Sequence, residues 1–350
     1  MMNLDRYQKI VLTYAIAVIL FCFPYVKETF QENSNINTDY KSWALDPNED
    51  NSLQLEKVLT TCTINKKDIV VAIIDTGIQY NHPFLKNNIF IPKRKTTKYE
   101  YGFDLTSNHL GTRPADYHGH GTHIAGIIKS VSNNVKLLPL KYYDKNSSGE
   151  KNLKNSLKAL KVAIENNVDI INYSGGGPQS SLEEYELLKK AERKGILVIV
   201  AGGNESENVD IRGKGFYPAS YLNLSNIISV TAHDKNNRKL SSSNWGNRTI
   251  DIIAPGYKIN SSVPKGNGIY SGTSQATAFV TGLASLIKEI NPELKTYQIK
   301  DIILKTSDSD NYTKTIVRSG RLNLVKAIKY VRENLDQPKF NNREIASKNN

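Results

Sequence analysis

The sequence predicts an α/β domain built on a largely parallel central β-sheet with helices on both faces. Two observations carry this. Five runs are apolar throughout instead of alternating, the pattern of strands buried on both sides. Between most of them lie segments with apolar residues at helical spacing, and strands alternating with amphipathic helices imply a parallel sheet. With 350 residues, 39% apolar and 23% charged, the chain has ample material for one sizeable core.

Taken in order, the first strand is "IVVAII" at 69–74. Ile124, Ile127, Ile128 and Val131 then recur at i, i+3, i+4 and i+7 and mark a helix. "KLLPLK" (136–141) is the second strand, followed by the helical stripe Leu153, Leu157, Leu160 and Ile164. "VDIINY" (168–173) is the third strand, and "LEEYELLKKAERKG" the next helix, with Gly195 as its C-cap. "ILVIVA" (196–201) and "IISVT" (227–231) complete the strands. A long helix runs from Ser274 to Ile290, and "YQIKDIILKTS" and "GRLNLVKAIKYV" close the domain, which spans 68–333.

The formal charge is +12. Much of the excess is scattered, as in Lys151, Lys154, Lys158 and Lys161, which flank the Leu153 stripe and read as the wet face of that helix. No basic run is interleaved with stacking aromatics, so a nucleic-acid partner is not expected. The two cysteines, Cys22 and Cys62, exclude a disulfide scaffold and a cysteine-rich zinc site.

Arg6 and Lys9 precede 17 residues without charge, Ile10 to Val26. Positive-then-apolar is the order of an export signal, although the run is short of the roughly 20 residues of a spanning helix. Residues 1–26 are therefore expected to be a membrane anchor or signal segment, with the rest of the chain extracytoplasmic, anchored or secreted. Residues 27–67 read as a polar linker and N-terminal extension and 334–350 as a disordered polar tail.

In an open parallel sheet, ligands sit beyond the carboxyl ends of the strands. Asp75 ends the first strand, and Asn204 follows "VAGG" at the end of the fourth, where glycines let backbone approach a ligand. Ser174, Gly175, Gly176 and Gly177 follow the third and offer an open edge for an extended peptide. "YHGHGTHIAG" holds His118, His120 and His123. A zinc site could use His120 and His123 with His118 or Asp116, but no general base is placed as on a metallohydrolase helix. The alternative is one histidine acting as a general base at the helix start. Ser274 stands where free N–H groups and the helix dipole favour negative charge, a position that a simple N-cap serine would also take.

Asp75, a histidine, Asn204 and Ser274 follow the chain order of one convergent serine-protease arrangement. With "AIIDTGI", "HGTHIAG", "INYSGGG", "VAGGNE", "YPAS", "SSSNWG", "DIIAPG" and "SGTSQATAFVTG" in order, the chain resembles the subtilisin-like serine proteases, the subtilase family, over 68–331. The resemblance implies the subtilisin-like fold and a serine endopeptidase acting on polypeptide chains. It implies that Ser274 is the nucleophile, His120 the base and Asp75 its orienting carboxylate, with the Asn204 amide at the oxyanion. It implies that Ser174–Gly177 pairs with substrate backbone and forms one wall of the specificity pocket, Ala201, Gly202 and Gly203 forming the other.

The chain departs from the family pattern at Gln275, usually methionine, and at Gly175, usually leucine, which implies a wider or more mobile pocket. The short link between the His120 helix and "KLLPLK" leaves no room for the calcium loop of many secreted members, so no metal or other cofactor is expected. A monomer is expected. An alternative function is a catalytically inactive scaffold of this fold that binds peptide.

Overall fold

The computed structural model describes residues 42–59, 67–91, 100–106 and 113–335. Both the 1–26 segment and all but the first two residues of the 334–350 tail lie outside them. Among the described residues the strands are β1 (Val70–Asp75), β2 (Phe103–Asp104), β3 (Lys136–Lys141), β4 (Ile170–Tyr173), β5 (Leu197–Ala201), β6 (Ile227–His233), β7 (Ile252–Pro255), β8 (Ile259–Ser262) and β9 (Asn267–Tyr270). The helices are α1 (Leu55–Leu59), α2 (His120–Val131), α3 (Gly149–Glu165), α4 (Leu182–Arg193), α5 (Thr273–Ile290), α6 (Thr296–Lys305) and α7 (Leu324–Leu335).

Seven strands form one sheet in the order β2-β3-β1-β4-β5-β6-β7, every pair parallel, while β8 and β9 make a separate antiparallel hairpin. Because a strand turns successive side chains to opposite faces, each apolar run feeds two cores. On β1, Val71 and Ile73 join one core with α2, α5, α6 and α7. Ala72 and Ile74 join the other, with Leu157 and Leu160 of α3 and Leu187 and Leu188 of α4. The result is the three-layer α/β fold that the sequence predicts, and its parallel direction brings all seven carboxyl ends to one edge.

Helix α5 is buried at every residue except Lys288. It packs on β4, β5, β6 and β7 and against α2. A helix apolar or small on all sides belongs inside a core, and the thr–ala–gly-rich sequence from Thr273 to Gly282 lets it fit there. Its first turn is thereby delivered to the sheet edge.

The stretch 27–67 is not uniformly a linker. Within it, residues 42–59 lie on the domain, with Ala44, Leu53 and Leu55 in the same core as α5. Trp43 Nε1 donates to the Tyr257 carbonyl at 2.7 Å, and Asn51 Nδ2 to the Lys235 carbonyl at 3.0 Å. A few apolar anchors among polar residues escape a composition average. Among the described residues, no helix is long and apolar enough to cross a membrane.

Beneath the end of β4, Glu184 of α4 is only 2% exposed and accepts the Tyr173 hydroxyl at 3.2 Å. Burial pushes its carboxyl up to about 7, against partial relief from hydrogen bonds with Tyr173 and Tyr221. An acid raised on folding binds its proton more tightly in the native state, so ionisation penalises that state as pH rises. The penalty is absent below pH 4.5 and complete above about 7. Glu184→Gln keeps an acceptor for Tyr173 and cannot ionise. Urea unfolding should show its stability relative to wild type improving by roughly 3 kcal/mol between those limits.

Candidate functional site

Strand β1 ends on Asp75, where Thr76 and Gly77 turn the chain out of the sheet. The Thr76 N–H donates to Asp75 Oδ1 at 2.7 Å, fixing the carboxylate. His120 opens α2, and its Nδ1 meets the same oxygen at 2.7 Å. Both side chains are buried, at 3% and 5% exposure for Asp75 and His120. Against a carboxylate acceptor Nδ1 carries the proton, which makes Nε2 the basic nitrogen. Burial opposes a charged imidazole, but the Asp75 charge and hydrogen bond, with Asp116 behind them, outweigh it and hold His120 above its ordinary pKa.

This contact requires a close approach of helix to strand end. A Cβ on Gly121 would lie 2.0 Å from the Gly77 carbonyl oxygen, so only glycine fits. The bare backbone lets the Gly121 N–H donate to Thr76 Oγ1 at 2.9 Å. Asp116, 1% exposed, completes the joint. Its Oδ1 accepts from Thr76 Oγ1 and from the N–H groups of His118 and Gly119 at 2.9, 3.0 and 2.8 Å. Its Oδ2 accepts from the Thr122 N–H and hydroxyl at 2.9 and 2.7 Å. The carboxylate thus holds the turn that leads into α2 together with the Thr122 N–H of its first turn, and ties both to Thr76 at the end of β1.

Ser274 is the second residue of α5 and 5% exposed. Its Oγ donates to the Ser174 carbonyl at 3.2 Å, joining α5 to the end of β4. Ser174 is itself held from the buried side by Asn172, whose Nδ2 donates to Ser174 Oγ at 2.9 Å. Asn172 Oδ1 in turn accepts from Thr281 Oγ1 of α5 at 2.8 Å. Asn204, just past β5, accepts the Thr273 N–H on Oδ1 at 3.0 Å. With Oδ1 engaged, the NH₂ end of that amide is left as the donor. Gln275 is 1% exposed, and its Nε2 has no hydrogen-bond partner among the described residues.

The remaining residues of the sequence reading also lie at this edge. Gly175–Gly177 extend from β4, and Gly202 and Gly203 continue from Ala201 at the end of β5. The histidines separate. His123 points away from Asp75, its Nε2 donating to the carbonyls of Ile259 and Gly268 at 3.0 and 3.1 Å, with its ring stacked on Tyr270. Burial, with the neighbouring His120 charge, pushes it down to about 3. With Nε2 spent on two carbonyls, only Nδ1 of His123 is left, and among the described residues no three His, Cys, Asp or Glu side chains are grouped so as to hold a metal ion, which speaks against the zinc reading. His118 sits with its ring 6.3 Å from that of His120 and 6.1 Å from that of Tyr143. Sequence reasoning missed Asp116 and Asn172 as positioning groups. An aspartate just ahead of a helix start is a capping signal that could have found the first.

Residues 66–341 match the Peptidase S8 model, the subtilase family. The chain is 33% identical to the major intracellular serine protease of Bacillus subtilis (strain 168), over 76% of its own length and 80% of that protein. It is 36% identical to an intracellular serine protease of Paenibacillus polymyxa, over 64% of its length and 68% of that protein. Among solved structures, one on the assembly of subtilase cytotoxin SubAB superposes with a TM-score of 0.68, covering 84% of this chain and 97% of that one. At 23% identity that match speaks for the fold alone.

These relatives overturn the extracytoplasmic placement drawn from the N-terminal run. Two proteins that share this domain at a third identity are named as intracellular, so the domain gives no support to export or membrane anchoring. The apolar run itself, 17 residues, falls short of the roughly 20 that span a bilayer.

The Asp116 joint gives a direct test. Asp116→Ala strands buried donors of α2 and Thr76 at once, and several donors left without their shared acceptor cost more than one ordinary hydrogen bond. Urea denaturation should show a loss of roughly 3 kcal/mol, against about 1 kcal/mol for Ser148→Ala, whose hydroxyl caps α3 at 3.2 Å.

Proposed function

Because the chain belongs to the subtilase family, we propose that it is a serine endopeptidase that hydrolyses peptide bonds of proteins through Asp75, His120 and Ser274. The observation that carries this reading is the buried 2.7 Å contact of His120 Nδ1 with Asp75 Oδ1, at the same sheet edge as Ser274. Ser274 Oγ attacks the scissile carbonyl carbon while His120 Nε2 takes its proton. The new C–O bond places negative charge on the carbonyl oxygen, met by the Asn204 NH₂ and the Ser274 N–H at the positive end of α5. Such an amide is worth about 10²- to 10³-fold in rate. Collapse breaks the C–N bond, and His120 returns the proton to the leaving amine. The acyl-enzyme is then hydrolysed by water, with His120 again the base and Asp75 stabilising its charged form.

Substrate enters as an extended chain. The Ser174–Gly177 edge supplies backbone groups to pair with it, and Ala201–Gly203 bounds the other side of the cleft. Names of relatives that read serine protease support polypeptides as the substrate class.

A fluorophosphonate probe should label Ser274 in the wild-type protein and leave Ser274→Ala unlabelled. Folded wild type that takes no label, or binds peptide tightly without turnover, overturns the proposal.

The reaction requires neutral His120, whose pKa stands above the ordinary 6.5. On lowering the pH, kcat/KM should therefore fall with a midpoint above 6.5, read from a pH–rate profile with a small peptide substrate.

A further inference from the structure

The two edges that bound the cleft, Ser174–Gly177 after β4 and Ala201–Gly203 after β5, are nearly bare of side chains. What fills the gap between them is decided by groups arriving from elsewhere. Phe216 arrives there. A Cβ on Gly176 would lie 2.5 Å from Phe216 Cε1, and a Cβ on Gly203 would lie 2.9 Å from Phe216 Cδ2. One ring therefore touches both edges, and at 8% exposure it is embedded rather than resting on the surface.

The ring is held by its own backbone. Gly177 and Tyr217 exchange N–H···O bonds of 2.9 and 2.7 Å, which staple the residue after Phe216 to the first edge. The Phe216 N–H donates to Ser220 Oγ at 3.0 Å and its carbonyl accepts the Ser220 N–H at 2.8 Å. The room expected from glycine at 175 is taken as well. A Cβ there would lie 2.0 Å from Tyr142 Oη, so Tyr142 stands where a larger residue would have been. Glycine at 175 therefore leaves no added space at its own position, whereas the gap between the two edges is met by Phe216.

We propose that Phe216 is a specificity-determining residue, closing the slot between the two glycine edges so that the enzyme selects glycine, alanine or serine as the residue supplying the scissile carbonyl. The inference rests on the peptidase reading above. A methyl or hydroxymethyl group fits over the ring edge, whereas a leucyl or phenyl side chain would have to displace a ring packed on both sides.

The test is a peptide series on the full chain, varied only at that residue, with fluorophosphonate labelling of Ser274 as a separate readout. Wild type should cleave alanine over phenylalanine and leucine by about 100-fold in kcat/KM. Phe216→Gly should move that ratio toward the large residues by at least about 10-fold, and Phe216→Leu, which keeps an apolar filling for folding, by a smaller factor in the same direction. If Ser274 is labelled and phenylalanine or leucine is cut as fast as alanine, or if both variants keep the wild-type ratio, this inference alone falls. Absence of the label removes the peptidase reading and this inference with it.

Discussion

Helix α2 meets the end of β1 at a distance that leaves no room for a single methyl group on residue 121. The backbone N–H of Gly121 reaches Thr76 across that gap, and the same approach puts the His120 ring on Asp75. Asp116 then locks the joint from the other side by accepting from Thr76 and from the first turn of α2. Move the helix outward by the width of a side chain and the imidazole loses the carboxylate that sets its tautomer and holds its proton. The parallel sheet provides the common edge, but this one steric permission determines whether the groups on it can act together.

The layers of the fold were legible because both-face burial writes strands as unbroken apolar runs: β3 falls at 136–141 as read, and β1, β4, β5 and β6 within two residues of their predicted bounds. β7 escaped because four residues ending in proline make too short a run, and β9, with Asn267 and Ile269 exposed, has no buried face to announce it. Asp75 and Ser274 stood out by position, at a strand end and a helix start, although position alone would equally have made the serine an N-cap. The motif resemblance then chose His120 among three histidines, and the His123 bonds to Ile259 and Gly268 give the physical reason that its neighbour plays a different part.

What the sequence hid was long-range. Phe216 lies in a stretch with no period, and the glycines it meets are 40 and 13 positions away in the chain. Asn172 reads as one polar residue inside an apolar strand, and only the fold reveals that it joins Ser174 to Thr281. Averages of composition failed in a similar way near the N-terminus. A handful of anchors, Trp43, Ala44, Leu53 and Leu55, bind a mostly polar segment to the core, and no window average distinguishes that from a linker.

Helix α5 carries a further consequence for the life of the molecule. Its buried length touches four strands and α2, so its amides can open to solvent only when the whole domain opens. A molecule opened far enough to expose this helix to cutting has lost the alignment of Ser274 with the sheet edge. Cutting within this helix therefore has to wait for opening of the whole domain, a protection that the exposed loops between the strands do not share.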